Sequence, residues 1–164
     1  MIKVLIIGAG RIAGLNEKDN YRKKPCTHYG AFASNREFEV LGVVDVDRSR
    51  AAYFADQFNI KYYSTDIEKA INNVRPDLIS IAVPYKFHYN IVKKICLNKI
   101  RPQIIFCEKP IADTVEKAVE MSLLCENSNI RLFINNRRLT PIYRDLKEVV
   151  KKEFGNKIIT VNES

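Results

Sequence analysis

The chain has 164 residues, of which 46% are hydrophobic and 28% are charged, a size and composition typical of one globular domain. It contains no apolar run near the roughly 20 residues that cross a bilayer, so we expect no membrane partner. The net charge of +8 raises nucleic-acid binding as an alternative. Because the basic residues are scattered over several predicted elements, we instead expect a basic surface and no nucleic-acid partner.

The cysteines and histidines indicate a cellular compartment rather than a metal centre. The four cysteines are widely spaced and form no Cys-x-x-Cys pair, which is typical of reduced thiols. The first residues pass directly into a glycine-rich turn, without the cleavage site of a signal peptide. With only two histidines present, we expect no metal site and a cytoplasmic protein.

The chain begins with an apolar, β-branched run at residues 4–7, which predicts a strand buried on both faces. A G-x-G-x-x-A turn follows it, of the kind that leads from a strand into a helix and binds a dinucleotide. We expect Gly8 to allow the tight turn, Gly10 to admit a pyrophosphate and Ala13 to bring the helix near the strand. The alternative is that the glycines only punctuate a buried turn. The predicted cofactor contacts in this segment are Gly8, Gly10, Arg11, Ile12 and Ala13.

The helix after the glycine turn is expected to run to about Asn16, followed by a charged loop at residues 17–25. A helix at 27–35 and a strand at 38–44 come next, and the strand closes on Asp45. An acidic residue about 20 positions beyond the glycines binds the ribose diol in dinucleotide folds. Asp45 lies 35 residues beyond Gly10, a spacing that fits if the charged loop is an insertion.

The negative charge of Asp45 favours one cofactor over another. Asp47 is better placed than Asp45 to cap the helix that begins at Arg48, which leaves Asp45 for a ribose. A carboxylate there repels a 2′-phosphate, so NAD is predicted over NADP, although Arg48 softens the repulsion.

Strands and helices alternate along the rest of the chain, which predicts a doubly wound parallel α/β sheet, the Rossmann fold. The predicted helices are 48–58, 66–73, 86–97, 114–126 and 141–153. The predicted strands are 60–63, 78–83, 103–106, 130–134 and 157–161. We assign residues 1–154 to this domain and residues 155–164 to the first strand of a second domain that the chain lacks.

A Glu108-Lys109-Pro110 segment follows the fifth predicted strand, at the sheet edge where such folds bind ligands. Pro110 restricts the backbone of Lys109 and so aims its amine. A lysine partly buried beside a nicotinamide would have a lowered pKa and could exchange a proton with a substrate hydroxyl. In isolation, the same three residues would be a loop with a surface ion pair.

Five segments, in this order along nearly the whole chain, resemble the Gfo/Idh/MocA oxidoreductases: GAGRIA at 8–13, VVDVD at 43–47, AVPYKFH at 82–88, CEKPIA at 107–112 and NRRLTP at 136–141. The resemblance implies that Lys109 is the catalytic or substrate-orienting lysine. It also implies that Glu108 and Pro110 flank the nicotinamide ribose, with a cis Lys109–Pro110 bond. Further cofactor contacts are implied at Val83, Pro84, His88, Asn136 and Arg137. From position alone, a histidine such as His88 is more often a capping or helix-surface residue than a functional one, and His28 is expected to pack or cap locally.

Three features depart from that family. Tyr85 stands where an asparagine is frequent, and Leu139 where a phenylalanine is frequent. The family's second, α+β domain is absent, and with it the substrate pocket and an Asp/His pair. We therefore expect an isolated NAD-binding domain that binds cofactor with little turnover. The full enzyme would move a hydride between nicotinamide and a small sugar-like or polyol hydroxyl. The sequence leaves open whether the chain forms a homo-oligomer.

Two other functions remain open from the sequence. One is a non-catalytic NAD-binding regulator or partner protein, because half of the family's site is missing. The other is a basic nucleic-acid-binding domain, which would bind DNA in a salt-dependent way that NAD does not compete with.

Overall fold

A computed structural model of the chain describes residues 1–136, which form one parallel sheet with helices on both faces. The strands are β1 (Ile2–Ile7), β2 (Phe38–Val44), β3 (Tyr62–Ser64), β4 (Leu78–Ile81), β5 (Ile104–Glu108) and β6 (Arg131–Asn135). The helices are α1 (His28–Ala33), α2 (Arg48–Gln57), α3 (Ile67–Val74), α4 (His88–Leu97) and α5 (Val115–Asn127). Short 3-10 helices cover Leu15–Lys18 and Tyr85–Phe87. The predicted Rossmann fold is therefore confirmed.

The strand order is β3-β2-β1-β4-β5-β6, and all five pairings are parallel. The chain runs outward from β1 in one direction and from β4 in the other, so the order reverses between these two strands. Ile7 is in register with both Val44 and Ile81, and Ile81 is in register with Cys107. The loops after these strands therefore leave the sheet at one edge, beside the point where ligands bind in such folds.

The central strands are buried on both faces because their side chains alternate between two hydrophobic clusters. In β1, Val4 and Ile6 pack with α1 and α2, whereas Leu5 and Ile7 pack with α3, α4 and α5. The apolar run that predicted this strand is thus explained by burial on both sides. Among residues 1–136, no helix has the length and apolar character needed to span a bilayer.

The helix predicted directly after the glycine turn is wrong. The backbone makes one turn there, with Gly14 N–H bonded to Gly10 O, and then enters the 3-10 helix. The N–H groups of His28 and Tyr29 then donate to the carbonyl oxygens of Ile12 and Ala13, at 3.1 and 2.8 Å. In an uninterrupted α-helix, the N–H of residue 16 would donate to the carbonyl oxygen of Ile12. His28 makes that hydrogen bond instead, so α1 continues the helical turn that begins after the glycines.

The charged loop at residues 17–25 thus lies within a stretch of twelve residues, 16–27, that interrupts the first helix. Without it, the spacing from Gly10 to Asp45 falls from 35 to 23, close to that of a dinucleotide site. Glu17 closes the insertion, since its carboxylate accepts hydrogen bonds from Cys26 N–H and the Thr27 hydroxyl. Thr27 also caps α1 by accepting from Gly30 N–H at 3.0 Å.

Smaller differences lie at element ends. The fourth strand stops at Ile81 rather than at residue 83, because the chain turns off the sheet before Pro84. The fifth strand runs on to Glu108, which pairs with Asn135 in β6. Asp47 caps α2 through Ser49 and Arg50 N–H, as predicted. The predicted helix 141–153, the strand 157–161 and the boundary at 154 lie outside the described residues.

Candidate functional site: a dinucleotide-binding edge

The two glycines of the first turn have different surroundings. Gly8 has φ +104°, and a Cβ there would lie 2.5 Å from the carbonyl oxygen of Ala82. Only glycine fits that backbone conformation and that contact. At Gly10, a Cβ would meet no atom within 4 Å, so its missing side chain leaves open space above the turn. Ala13 is fully buried against α2, where a larger side chain would separate the elements.

Asp45 is held rigidly at the end of β2. Its Oδ2 accepts Ala9 N–H at 2.9 Å and its Oδ1 accepts Asp47 N–H at 3.0 Å. Both carboxylate oxygens of Asp45 therefore already have one backbone partner. Each oxygen keeps a second lone pair, so the group can still accept two hydroxyl hydrogen bonds, now from a fixed position.

A cavity of about 740 Å³ opens beside these residues. Its floor and walls come from the ends of β1, β2, β3 and β4 and from α4. Its lining is mainly apolar, with Asp45 as its acidic group and Arg50, Lys93 and Lys94 as its basic groups. Such a mixture suits a flat, weakly polar ring with a hydroxylated or anionic extension. Gly8, Val83 and Pro84 line this cavity.

The Glu108-Lys109-Pro110 segment begins at the last residue of β5, at the same edge and two strands from the glycine turn. The Lys109–Pro110 peptide is cis. Lys109 is exposed, so residues 1–136 do not supply the partial burial that the sequence-based argument required. The backbone N–H of Lys109 donates to Glu108 Oε2 at 3.2 Å.

Glu108 is the centre of a hydrogen-bond network that sequence reasoning missed. His28 Nε2 lies 2.9 Å from Glu108 Oε1, and Asn135 Nδ2 donates to the same oxygen at 2.6 Å. The other ring nitrogen of His28 lies 2.6 Å from Ser80 Oγ. His28 is 3% exposed and Ser80 is fully buried, so water does not satisfy these groups.

The network acts on the ionisation of Glu108. Burial raises the pKa of its carboxyl, but hydrogen bonds from His28 and Asn135 outweigh burial and hold that pKa below its ordinary value. Glu108 is therefore an ionised, positioned carboxylate beside Lys109. Two signals were available in the sequence: a serine inside the apolar strand LISIAV and a histidine just after a helix cap.

His88 is fully buried and so does not line the cavity, in contrast to its predicted place against the cofactor. Its Nε2 lies 2.9 Å from Val83 O, and its Nδ1 lies 3.1 and 3.2 Å from the carbonyl oxygens of Pro110 and Ile111. The ring thus joins the loop after β4 to the loop that carries Lys109.

Among residues 1–136, the remaining predicted cofactor contacts do not line the cavity. Arg11 is exposed, and its Nε donates to Asn16 Oδ1 at 3.1 Å, which ties it to the insertion. Ile12 is half-buried and packs on the cluster below the turn. Asn136 follows β6 directly beyond Asn135, and Arg137 lies outside the described residues.

A six-stranded Rossmann sheet with an open glycine turn and an acidic residue after β2 defines a dinucleotide-binding domain. The comparison with known families agrees, because the model of the oxidoreductase family with an NAD-binding Rossmann fold matches residues 2–136. The chain belongs to this family, the Gfo/Idh/MocA oxidoreductases.

Individual relatives are similar over most of this chain. It is 27% identical over 152 residues to the uncharacterized oxidoreductase YrbE of Bacillus subtilis, covering 92% of this chain and 40% of that protein. It is 28% identical over 155 residues to an inositol 2-dehydrogenase of Pseudarthrobacter chlorophenolicus, covering 93% and 42%.

Solved structures show the same fold. The WlbA dehydrogenase of Bordetella pertussis, in complex with NADH and UDP-GlcNAcA, superimposes with a TM-score of 0.73 at 19% identity. That match covers 92% of this chain and 42% of the WlbA chain. The chain thus spans about 40% of the length of the relatives it matches.

Proposed function

We propose that this chain is the NAD-binding part of a dehydrogenase that transfers a hydride between nicotinamide and a sugar-like or polyol hydroxyl. The observation that carries the proposal is the shared edge of the sheet. The open glycine turn, the fixed Asp45 carboxylate and the Lys109 loop all leave the strands there. One extended dinucleotide can contact all three.

The residues divide between the two halves of the cofactor. Asp45 accepts hydrogen bonds from the adenosine ribose diol, while Val83 and Pro84 contact the adenosine half in the apolar cavity. Gly8, Gly10, Arg11, Ile12 and Ala13 form the pyrophosphate-binding turn. Glu108 and Pro110 flank the nicotinamide ribose, with Asn136 and Arg137 near the nicotinamide end. His88 acts indirectly, since its ring joins the loops on both sides of the cofactor.

When bound, NAD would supply the hydride chemistry, and the protein would supply position and proton transfer. Lys109 is exposed on the nicotinamide side and its amine takes or returns the proton of the substrate hydroxyl. Glu108 places a fixed negative charge beside it. The relatives carry further chain that this one does not span, so substrate binding and turnover need residues beyond these.

The unbridged cysteine thiols support a cytoplasmic location.

The proposal is tested by titrating NAD⁺ and NADH into the purified chain by calorimetry, and by assaying polyol and sugar oxidation. We expect saturable cofactor binding with little turnover, which a supplied C-terminal domain of a relative should restore. A K109M variant should keep cofactor affinity within about threefold and lose any restored turnover. Binding without turnover even after that addition would favour a non-catalytic NAD-binding regulator. No cofactor binding would contradict the proposal.

Cofactor choice gives a separate prediction for Asp45. The D45N variant should raise the ratio of NADP⁺ affinity to NAD⁺ affinity by about tenfold, because a 2′-phosphate then meets no negative charge. The ratio is the informative quantity, since Asn also loses one acceptor for the Ala9 or Asp47 N–H and weakens both cofactors.

The matched control is D47N, which removes the same charge two residues away at the α2 cap. We expect it to change the ratio less than about twofold, since Asp47 is exposed to solvent and screened. Equal shifts in both variants would show that Asp45 does not face the ribose.

A further inference from the structure

Helix α1 carries a buried histidine that the proposed chemistry does not use directly. His28 lies 80 residues from Glu108 in the chain, yet its ring fills the space between Ser80 in β4 and Glu108 at the end of β5. It also packs on Phe106, with 5.3 Å between ring centroids. A buried imidazole whose two nitrogens both have partners is held in one orientation.

The partners decide which nitrogen of His28 carries a proton. The ionised Glu108 carboxylate only accepts hydrogen bonds, so Nε2 must donate to it. Ser80 can donate its hydroxyl proton, so Nδ1 can accept it across 2.6 Å. A neutral ring with its proton on Nε2 satisfies all three groups without burying a second charge.

We propose that His28 is a positioning residue for the cofactor, and that it acts by holding the Glu108 carboxylate at the nicotinamide end of the site. This inference rests on the proposed function and assigns a task to a residue that contacts neither cofactor nor substrate. Oε1 of Glu108 is occupied by His28 and Asn135, while Oε2 accepts only the Lys109 backbone N–H among the contacts of residues 1–136. The network therefore turns one oxygen inward and leaves the other with acceptor capacity for a ribose hydroxyl.

The first test is a double-mutant cycle on NAD⁺ affinity, measured by calorimetry on the whole chain. H28L should weaken NAD⁺ binding about tenfold, because Glu108 loses a charged hydrogen bond and its orientation. H28Q should recover most of the affinity, since its amide N–H can still reach Glu108. In an E108Q background, H28L should change the affinity less than about twofold, because its effect passes through Glu108.

The control separates positioning from stability. Phe32 lies on the same helix, is buried, and packs on Phe38 and Phe106, and its side chain has no group that could donate a hydrogen bond to Glu108. F32L should lower the melting temperature of the chain, yet leave NAD⁺ affinity within about twofold at a temperature where the variant is folded. An H28L effect that is equally large with and without E108Q, or that F32L reproduces, would overturn the proposal.

The second test needs no cofactor. His28 and His88 are the chain's only histidines, so ¹⁵N labelling gives two imidazole rings, and H28L identifies which signals belong to His28. We expect its proton on Nε2 alone at pH 7.5, and the S80A variant should disturb that state. A proton on Nδ1 with none on Nε2 overturns the arrangement, because Nε2 could then not donate to Glu108. If the wild-type chain does not bind NAD⁺, the proposed function fails, whereas wild-type affinity in H28L overturns only the role of His28.

Discussion

The G10V variant of this chain should lose NAD⁺ affinity by about 100-fold or more while keeping its fold. The space where a Cβ would project from Gly10 contains no atom within 4 Å, so the Cβ of a valine has room in the free protein. That same space is where a dinucleotide pyrophosphate would approach the backbone of the turn. A branched side chain there would hold the phosphates away from the N–H groups that bind them.

The measurement is calorimetric titration of NAD⁺, paired with a thermal melt of each protein. G10A is the milder substitution at the same position. It adds only one methyl group and should weaken NAD⁺ binding by only about tenfold. Both variants should melt within roughly 3 °C of the wild-type chain, since the position is open. Undiminished affinity in G10V would show that the cofactor does not pass over this turn.

The second large effect is on stability, at a glycine two residues earlier. G8A should lower the free energy of unfolding by about 3 kcal/mol, because φ at Gly8 is +104° and an alanine is strained there. The added methyl group would also lie 2.5 Å from the Ala82 carbonyl oxygen, at the end of β4. The turn and the strand beside it would have to move apart.

Thermal unfolding followed by circular dichroism checks this effect, and a fall of roughly 6–12 °C in melting temperature is expected. G10A serves again as the control, since it makes the same chemical change at an unstrained position and should be neutral or slightly stabilising. A G8A melting temperature equal to that of G10A would contradict the strain that we assign to this turn.

These two glycines show which features can be predicted from neighbouring residues alone. The sequence predicts a tight turn at Gly8 and open space at Gly10, because the strand, the turn and the small-residue spacing all lie within about ten residues. Asp47 as a helix cap is predictable for the same reason. The helix after the turn was predicted wrongly, because its continuation at His28 is displaced by a twelve-residue insertion. Hydrophobic periodicity is read over neighbouring residues, so it does not show that the turn after Gly10 and helix α1 are parts of one helix.

By itself, the sequence determined the alternation of strands and helices, the glycine turn, the acidic residue after β2 and the Glu-Lys-Pro segment, since each depends on neighbouring residues. Only the tertiary structure decided that His28, Ser80, Glu108 and Asn135 form one hydrogen-bond network, and that His88 is fully buried and does not line the cavity. Those side chains come from different strands and helices. Their hydrogen bonds exist only because parallel pairing brings the strand ends to one edge, where burial obliges each polar group to find a partner.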